Sequence, residues 1–451
     1  MAGDFSDLES FPAQWPLIRI GEFAEVKGGK RLPAGTALIP NKTDHPYIRI
    51  VDFKHGKIDK SALQYVPDDV FPRIARYTIS SKDVYVSIVG TIGLVGVIDE
   101  DLDGANLTEN AAKICSLSPE VDRDYLTAFL SSGWGQHQIR ALTVGSTQPK
   151  LALFRIADIR VPIPPIHEQR LIAQILGSLD DKIELNRRMA ATLEEMARAL
   201  FKSWFVDFDP VRAKAEGRPT GLPPDIDALF PDEVVESELG KIPKGWKVST
   251  IGARLTTALG GTPSRAKAEY WTDGTVPWIN SGKTNEFRII EPSEWITKEA
   301  LANSATKLLP KRTTVLAITG ATLGQVSITE FECCANQSVV AILASVEFPT
   351  EFIYHWIKEN IAKLVASQTG GAQQHINKGN VEELALLCPE QRIVSEYANH
   401  AKPMFDQIAA NCFQARTLVL LRDILLPKLM SGEIKVREIE NFAEGMKLSV
   451  I

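Results

Sequence analysis

Two loops that follow glycine pairs carry the residues best suited to contact a polyanion. Three cations, Lys27, Lys30 and Arg31, flank the pair Gly28-Gly29 in the first loop. The second loop follows Gly260-Gly261 and offers hydroxyls and cations at Thr262, Ser264, Arg265 and Lys267. Glycine lets backbone amides approach a phosphate, and Lys or Arg neutralises its charge. Both loops therefore predict contact with nucleic-acid phosphates, the alternative being two solvated hairpin tips.

Two further loops place amide side chains close to a cation. The first holds Gln148 and Lys150, and the second holds Gln373, Gln374 and Lys378. Gln can form two hydrogen bonds with adenine, and Lys can bond guanine. These loops are candidates for reading bases, although the same amides could instead cap the helices that follow them.

Motifs for catalysis are missing from the sequence. Gly320-Ala-Thr-Leu-Gly324 lacks the Lys and the spacing of a phosphate-binding loop, and no Gly-x-Gly-x-x-Gly occurs. Asp207-Phe-Asp-Pro210 lacks the second Pro and the aromatic residue of an adenine-methyltransferase motif. Glu25-Val-Lys27 and Glu433-Ile-Lys435 lack the upstream Pro-Asp pair of a nuclease centre, and the seven His residues show no metal-ligand spacing. We therefore expect a non-catalytic chain that holds no metal and no cofactor of its own.

The chain contains the same pattern twice. Trp15-Pro-Leu-Ile-Arg-Ile-Gly21 corresponds to Trp246-Lys-Val-Ser-Thr-Ile-Gly252, and each copy continues through a Gly-Gly pair and a glycine hairpin. Both copies end in Glu-Gln-Arg, at 168–170 and 390–392. The period is too long for a solenoid, so it indicates a duplicated domain. Two similar surfaces at a fixed separation suit a linear ligand with two sites, such as duplex DNA.

A long amphipathic helix is predicted after each copy. Residues 167–207 repeat apolar positions at steps of four and three, which is the heptad pattern of a coiled coil. The predicted seam comprises Ile172, Leu176, Leu179, Ile183, Asn186, Leu193 and Leu200, together with Ile408, Asn411 and Leu418 of the second stretch. We expect the two helices to pair as an antiparallel intramolecular coiled coil, with Pro403 kinking or interrupting the second. Asn186 and Asn411 either fix the register or lie in water at the seam edge.

Bulk composition is that of an ordinary globular protein. The chain has 451 residues, 44% hydrophobic and 24% charged, and a net charge of −6. That charge does not exclude DNA binding, because phosphate contact needs only a local basic face. No apolar run is long enough to span a membrane, and the acidic start does not resemble a secretory signal. Five cysteines without CxxC spacing predict reduced thiols and a cytoplasmic location.

These patterns predict an α/β (α+β) protein with two globular domains, each followed by a long helix. The predicted segments are a tail (1–14), a first domain (15–166), a long helix (167–207), a linker (208–245), a second domain (246–388), a second long helix (389–432) and a tail (433–451).

Four stretches, in this order, resemble the specificity subunit of a type I restriction–modification enzyme. They are Pro162-Ile-Pro-Pro-Ile-His-Glu-Gln-Arg170, Ala199-Leu-Phe-Lys-Ser-Trp-Phe-Val-Asp-Phe-Asp-Pro-Val-Arg212, Glu236-Ser-Glu-Leu-Gly-Lys-Ile-Pro-Lys-Gly-Trp246 and Leu421-Arg-Asp-Ile-Leu-Leu-Pro-Lys-Leu-Met-Ser-Gly-Glu433. The resemblance covers the chain after residue 14. It departs at Leu387-Cys-Pro389, where the first copy has a strand rich in proline.

The resemblance implies a function. Each domain would be a target-recognition domain that reads one half of a split double-stranded DNA sequence. The helix pair would set the gap between the halves and dock two methyltransferase subunits, which bring adenosylmethionine. Motor-nuclease subunits would bring ATP and Mg²⁺. The alternative, from the residues alone, is a protein-interaction scaffold that carries two binding domains on a coiled coil and does not bind DNA.

Overall fold

The computed structural model describes residues 11–54, 56–145, 149–367 and 376–435. The chain divides into two compact units. The first unit combines Met1–Lys182 with Thr417–Ile451, and the second is Ile183–Arg416. Both long helices contribute residues to each unit, so the chain organisation differs from a simple string of domains.

Two four-stranded sheets form the centre of the first unit. One sheet has the order Glu25–Gly28, Ala111–Cys115, Val84–Ser87 and Val95–Gly96. The other has the order Gln64–Tyr65, Pro46–Ile48, Ala105–Leu107 and Thr78–Ile79. Shorter strand pairs join Leu17–Arg19 to Arg160–Pro162 and Phe53–Lys54 to Lys57–Ile58. The repeated Trp15 segment is thus paired with the end of its own domain, with Ile18 opposite Val161.

Helices of the first unit pack against the sheet that contains Val84–Ser87. They are Ile20–Phe23, Arg123–Ser131, Gly133–Leu142 and Leu153–Ala157, with 3₁₀ turns at Ile50–Asp52, Phe71–Arg73 and Glu100–Leu102. The sequence suggests a helix over 124–142 that is weakest at Gly133 and Gly135. Just before them, Ser132 adopts extended backbone and caps the next helix by accepting a hydrogen bond from the Gly135 amide. Two helices therefore form, and Tyr125 and Phe129 are buried in the core of the unit.

The second unit repeats this arrangement. Its four-stranded sheet has the order Thr257–Leu259, Val339–Ile342, Thr314–Ala317 and Val326–Ile328. A three-stranded sheet has the order Glu294–Ile296, Val276–Ile279 and Cys334–Ala335. Lys247–Thr250 pairs with Ala385–Cys388, with Val248 opposite Leu387. The second copy therefore has an antiparallel pair between its first and last strands, equivalent to that of the first copy.

Helices of the second unit pack against these sheets. They are Asp209–Ala215, Pro224–Asp227, Ile251–Arg254, Lys298–Ala302, Thr350–Ser367 and Lys378–Glu382, with 3₁₀ turns at Ala268–Tyr270, Ser281–Asn285 and Gly320–Thr322. Phe352, Ile353 and Ile357 of the long domain helix are buried against Leu316 and Val340 of the sheet. One apolar core therefore joins helix and sheet.

The segment predicted to be a linker is packed. Residues 208–245 contain two short helices and a hairpin of Val234–Ser237 with Gly240–Pro243. Phe208, Val211 and Phe230 are buried in the main core of the second unit. The Pro and Gly residues set turns, while apolar side chains between them anchor the segment.

Two helices of 40 residues dominate the chain. The first is Ile166–Phe205 and the second is Gln391–Met430. The second helix continues through Pro403, so the predicted interruption was wrong, while a kink at this residue stays a prediction. A proline inside a helix removes one hydrogen bond and costs about 3 kcal/mol. Burial of Tyr397, Ala401 and Phe405 on both sides of it offsets this cost.

The predicted seam positions lie inside the protein. Ile172, Leu176, Ile183, Ile408 and both asparagines are buried, and Leu179, Leu193, Leu200 and Leu418 are partly buried. Asn186 is 1% exposed and Asn411 is 2% exposed. The two amides therefore do not lie in water at the seam edge.

The long helices share apolar clusters within each unit. In the first unit, Ile172 and Leu176 share a cluster with Leu429 and Met430. In the second unit, Ala197 shares a cluster with Phe405, and the rings of Phe201 and Tyr397 lie 5.7 Å apart. None of the helices in the described part of the chain is both long enough and apolar enough to cross a membrane.

Candidate nucleic-acid interface

Four loops of the first domain are joined by backbone hydrogen bonds. The Gly29 amide donates to the Ala111 carbonyl at 3.0 Å, and the Lys30 amide donates to the Leu107 carbonyl at 2.9 Å. Ile88 then links two more loops, since its amide donates to Asn110 and its carbonyl accepts from Leu151. We call residues 29–31, 88–93, 108–110 and 149–151 the first loop frame.

The second domain builds the same set of bonds. The Gly260 amide donates to Val339 at 3.0 Å, and the Gly261 amide donates to Ala335 at 2.8 Å. Ile318 repeats the role of Ile88, because its amide donates to Ser338 and its carbonyl accepts from Ile376. Residues 260–262, 318–324, 336–338 and 376–378 are the second loop frame. The bonds align Gly29 with Gly260 and Arg31 with Thr262.

The glycine pairs are required for close packing inside the frames. A Cβ at Gly29 would lie 2.1 Å from the Thr108 carbonyl oxygen, and one at Gly260 would lie 2.0 Å from the Asn336 carbonyl oxygen. The sequence suggested that these amides approach phosphates. Instead, the amides of both glycines donate to carbonyls of their own domain, so they position the loops that follow.

An aromatic side chain holds each frame at the same point. The Tyr47 hydroxyl donates to the Lys30 carbonyl at 2.9 Å, and the Trp278 indole donates to the Gly261 carbonyl at 3.2 Å. Burial raises the pKa of Tyr47 to about 12, so its hydroxyl keeps the proton that it donates. In each domain, this hydrogen bond fixes the backbone of the loop that follows the glycine pair.

Most predicted cations have an acidic partner nearby. Lys27 Nζ lies 2.5 Å from Glu25, and Lys378 Nζ lies 2.7 Å from Glu382. Arg31 Nε donates to Glu109 Oε1 at 2.7 Å. Within the described part of the chain no carboxylate pairs with Lys30, which is exposed. The first loop is therefore closer to neutral than its sequence suggests.

The second loop also neutralises its own charge. Arg265 forms two bonds of 2.6 Å with Glu294, and its guanidinium lies 3.5 Å from the centre of the Trp271 ring. Lys267 Nζ lies 3.0 Å from the Tyr270 hydroxyl. The Ser264 carbonyl accepts the Trp271 indole N–H at 3.2 Å. This side of the loop is ordered by internal contacts.

The amide loops are only partly described. Gln148, Gln373 and Gln374 lie outside the described residues. Lys150 is exposed and pairs through its backbone with Val144. The cap of helix Lys378–Glu382 is Asn377, whose side chain accepts from the Asn380 amide at 3.0 Å.

Glu109 and Gln337 were missed by the sequence analysis. Each stands two residues beyond a buried strand, after Leu107 and after Ala335. Thr262 donates its hydroxyl to the Gln337 amide oxygen, at the position where Arg31 meets Glu109. Alignment of the two copies along these strands could have revealed both residues.

A buried ion pair fixes the second domain on the first long helix. Glu194 Oε2 accepts from Arg288 Nη2 at 2.8 Å, and the Arg288 side chain is fully buried. Lys358 Nζ lies 3.5 Å from the other oxygen of Glu194. Burial alone would raise the pKa of Glu194, but the neighbouring His355 ring and the Arg288 charge outweigh it, and the pKa is lowered.

His355 makes the stability of the second unit depend on pH. Burial lowers its pKa, and its Nδ1 lies 2.9 Å from the Tyr397 hydroxyl. Below about pH 6.5 the unfolded chain binds a proton that the folded unit resists, so acidification destabilises the fold. When the pH falls from 7.5 to 5.5, we expect the free energy of unfolding to decrease by at most about 1.4 kcal/mol for each pH unit below the unfolded-state pKa of about 6.5. Urea unfolding at both values should show a smaller loss for His355→Gln, and an equal loss would contradict this assignment.

The described residues contain no group of three or more His, Cys, Asp or Glu side chains placed to hold a metal ion.

A family model described as the type I restriction modification DNA specificity domain matches residues 12–195 and 243–397. These ranges make up about three quarters of the chain. The chain therefore belongs to the type I restriction–modification DNA specificity family. Such proteins are the non-catalytic subunits that recognise DNA sequence, and catalysis lies in their partners.

Two relatives match over nearly the whole chain. The HindI specificity subunit of Haemophilus influenzae is 26% identical over 434 residues, which cover 86% of this chain and 94% of the relative. The MjaIX specificity subunit of Methanocaldococcus jannaschii is 25% identical over 448 residues, which cover 96% of each chain. The resemblance inferred from the four sequence stretches is thus confirmed.

A solved structure supports the fold. The S subunit of a type I restriction-modification system from M. genitalium is similar with a TM-score of 0.59 and 16% identity. The match covers 92% of this chain and 96% of that chain.

Proposed function

We propose that this chain reads a bipartite DNA target, one half-site with each loop frame. The observation that carries the proposal is the repetition of one hydrogen-bonded frame in two separate units, with different side chains on it. A common frame gives both domains the same way to approach DNA, and different side chains let them read different bases.

The two long helices act as a ruler between the half-sites. This role is supported by the apolar clusters that they share in each unit, at Ile172 with Leu429 and at Ala197 with Phe405. In these pairs the residue numbers rise along one helix and fall along the other, as expected for an antiparallel coiled coil. Asn186 and Asn411, both buried, would restrict the register.

The outer faces of the helices dock two methyltransferase subunits. Exposed apolar side chains on a helix are typical of protein contacts. They include Leu185, Met189 and Met196 of the first helix and Leu420, Leu421 and Ile424 of the second. Motor-nuclease subunits would join this complex in the cytoplasm. Adenosylmethionine, ATP and Mg²⁺ would be held by the partners, and this chain would hold no cofactor.

Exchange of one domain tests the proposal. We expect that replacing residues 15–162 with the corresponding segment of the HindI relative changes one half-site and leaves the other half-site and the gap unchanged. This segment keeps both strands of the pair Leu17–Arg19 and Arg160–Pro162 together. The motif is read by sequencing methylated adenines in cells that also express the methyltransferase partner.

The unchanged half-site is the internal control for this exchange. A change in both half-sites would contradict modular reading. A scaffold that does not bind DNA predicts no methylation motif that depends on this chain.

A further inference from the structure

One position in the two loop frames carries a different polar pair in each domain. In the first frame the pair is Arg31 with Glu109, and in the second it is Thr262 with Gln337. The backbone bonds of Gly29 and Gly260 place both pairs at the same point. The scaffold is thus constant while the chemistry of this position changes.

The first pair presents one end of a guanidinium. Arg31 uses Nε for Glu109, and no described residue accepts a hydrogen bond from its Nη1 or Nη2. Its side chain is 79% exposed, whereas that of Glu109 is 29% exposed. Thr108 lies 3.2 Å from the second oxygen of Glu109. The carboxylate is therefore held in place, and it directs the free fork of Arg31 outward.

The second pair presents an amide. Thr262 and Gln337 are both exposed. The Thr262 hydroxyl donates to the Gln337 oxygen, which keeps a second lone pair. The amide nitrogen of Gln337 keeps its donors. One free acceptor and one free donor are the two groups with which Gln bonds adenine.

The charge balance of these two pairs favours contact with bases over contact with phosphates. Phosphate contact rewards unpaired positive charge, but the Arg31–Glu109 pair is neutral and the Thr262–Gln337 pair is uncharged. A carboxylate beside a phosphate would also be repelled. Base edges instead require donors and acceptors in fixed directions, which both pairs supply.

We propose that Arg31, oriented by Glu109, reads a guanine in the half-site of the first domain, and that Gln337, oriented by Thr262, reads an adenine in the half-site of the second. This assignment rests on the proposed function. It deepens that function by naming the residue and the base for one position of each half-site.

The test is a selection of DNA duplexes by the complex of the full chain with its methyltransferase partner. One half-site is randomised while the other is kept, and the bound duplexes are sequenced. We expect the wild type to prefer guanine at one position of the first half-site by about 5- to 150-fold. Arg31→Gln should lose that preference or shift it to adenine. Arg31→Lys should keep the affinity but weaken the guanine preference, since it lacks the fork.

The second domain gives the reciprocal result. Gln337→Glu should lose the adenine preference at one position of the second half-site and leave the first half-site unchanged. Lys82→Gln and Lys311→Gln are matched controls. Both lysines are exposed and lie at the opposite ends of the strands Val84–Ser87 and Thr314–Ala317 from the loop frames. Neither control should change any base preference.

Two outcomes would overturn the assignment. Base preferences that stay unchanged in the variants, or a uniform loss of affinity at all sequences, would remove these pairs from base reading. A wild-type complex that selects no bipartite motif would refute the proposed function itself, whereas a bipartite motif with unchanged variants would refute only this inference.

Discussion

Replacing Glu194 with alanine is expected to destabilise the second unit by about 3–5 kcal/mol. The substitution leaves the Arg288 guanidinium, which is fully buried, without the carboxylate at 2.8 Å. A buried charge without its partner retains its desolvation cost and loses the attraction that offsets it. Lys358 would also lose its contact with Glu194.

Urea unfolding followed by tryptophan fluorescence measures this loss, because six of the eight tryptophans lie in the second unit. Glu195→Ala is the matched control, since Glu195 is the next residue on the same helix and is exposed. It should change the free energy of unfolding by less than about 0.5 kcal/mol. The double variant Glu194→Leu with Arg288→Met should recover much of the loss. An effect of Glu194→Ala no larger than that of Glu195→Ala would contradict the role of the ion pair.

Adding one heptad to both long helices is expected to widen the gap of the DNA target by about three base pairs. Seven residues lengthen a helix by roughly 10 Å, and one base pair rises 3.4 Å along the duplex. The insertions belong after Lys182 and after Arg416, where each helix passes from one unit to the other. Both helices must be extended, because they share apolar clusters in each unit.

The gap is read from the methylation motif of cells that express the extended chain. Both half-sites should remain unchanged, because neither loop frame is altered. Insertion of two residues at the same two points is the control, since it rotates the seam by about 160° away from its partner at 3.6 residues per turn and should abolish pairing and methylation. A folded, heptad-extended chain that methylates sites with the original gap would exclude the ruler.

The repeat and the helices could be predicted because their signals are local. The Trp15 and Trp246 segments form equivalent strands, and the heptad positions from Ile172 onward are buried or partly buried. The continuity of the second helix at Pro403 could not be predicted, because a local rule for proline does not include the burial of Tyr397 and Phe405 beside it. The core contacts of the 208–245 segment could not be predicted for a similar reason, since its Pro and Gly content gives no sign that Phe208 and Phe230 are buried.

Pairs that are distant in sequence could not be predicted. Arg31 meets Glu109 across 78 residues, and Glu194 meets Arg288 across 94. In the sequence, Arg31 belongs to a basic run that was expected to contact phosphates, and no local signal connects Glu194 with Arg288. Only the fold reveals that one is paired beside a loop frame and the other is buried. Lys30, Arg31, Thr262 and Arg265 lie in loops as expected, whereas Lys27 lies in the strand Glu25–Gly28 and Lys378 begins the helix Lys378–Glu382. The charge balance of these residues could be seen only in the structure.

The central claim is tested most directly by methylome sequencing of cells that express the chain with its methyltransferase partner, compared with cells that lack only this chain. We expect a bipartite N6-methyladenine motif, with two defined half-sites and a fixed gap, that disappears without the chain. A methylation pattern that is identical in both cells, although the chain co-purifies with an active methyltransferase, would contradict the claim that this protein selects the DNA sequence.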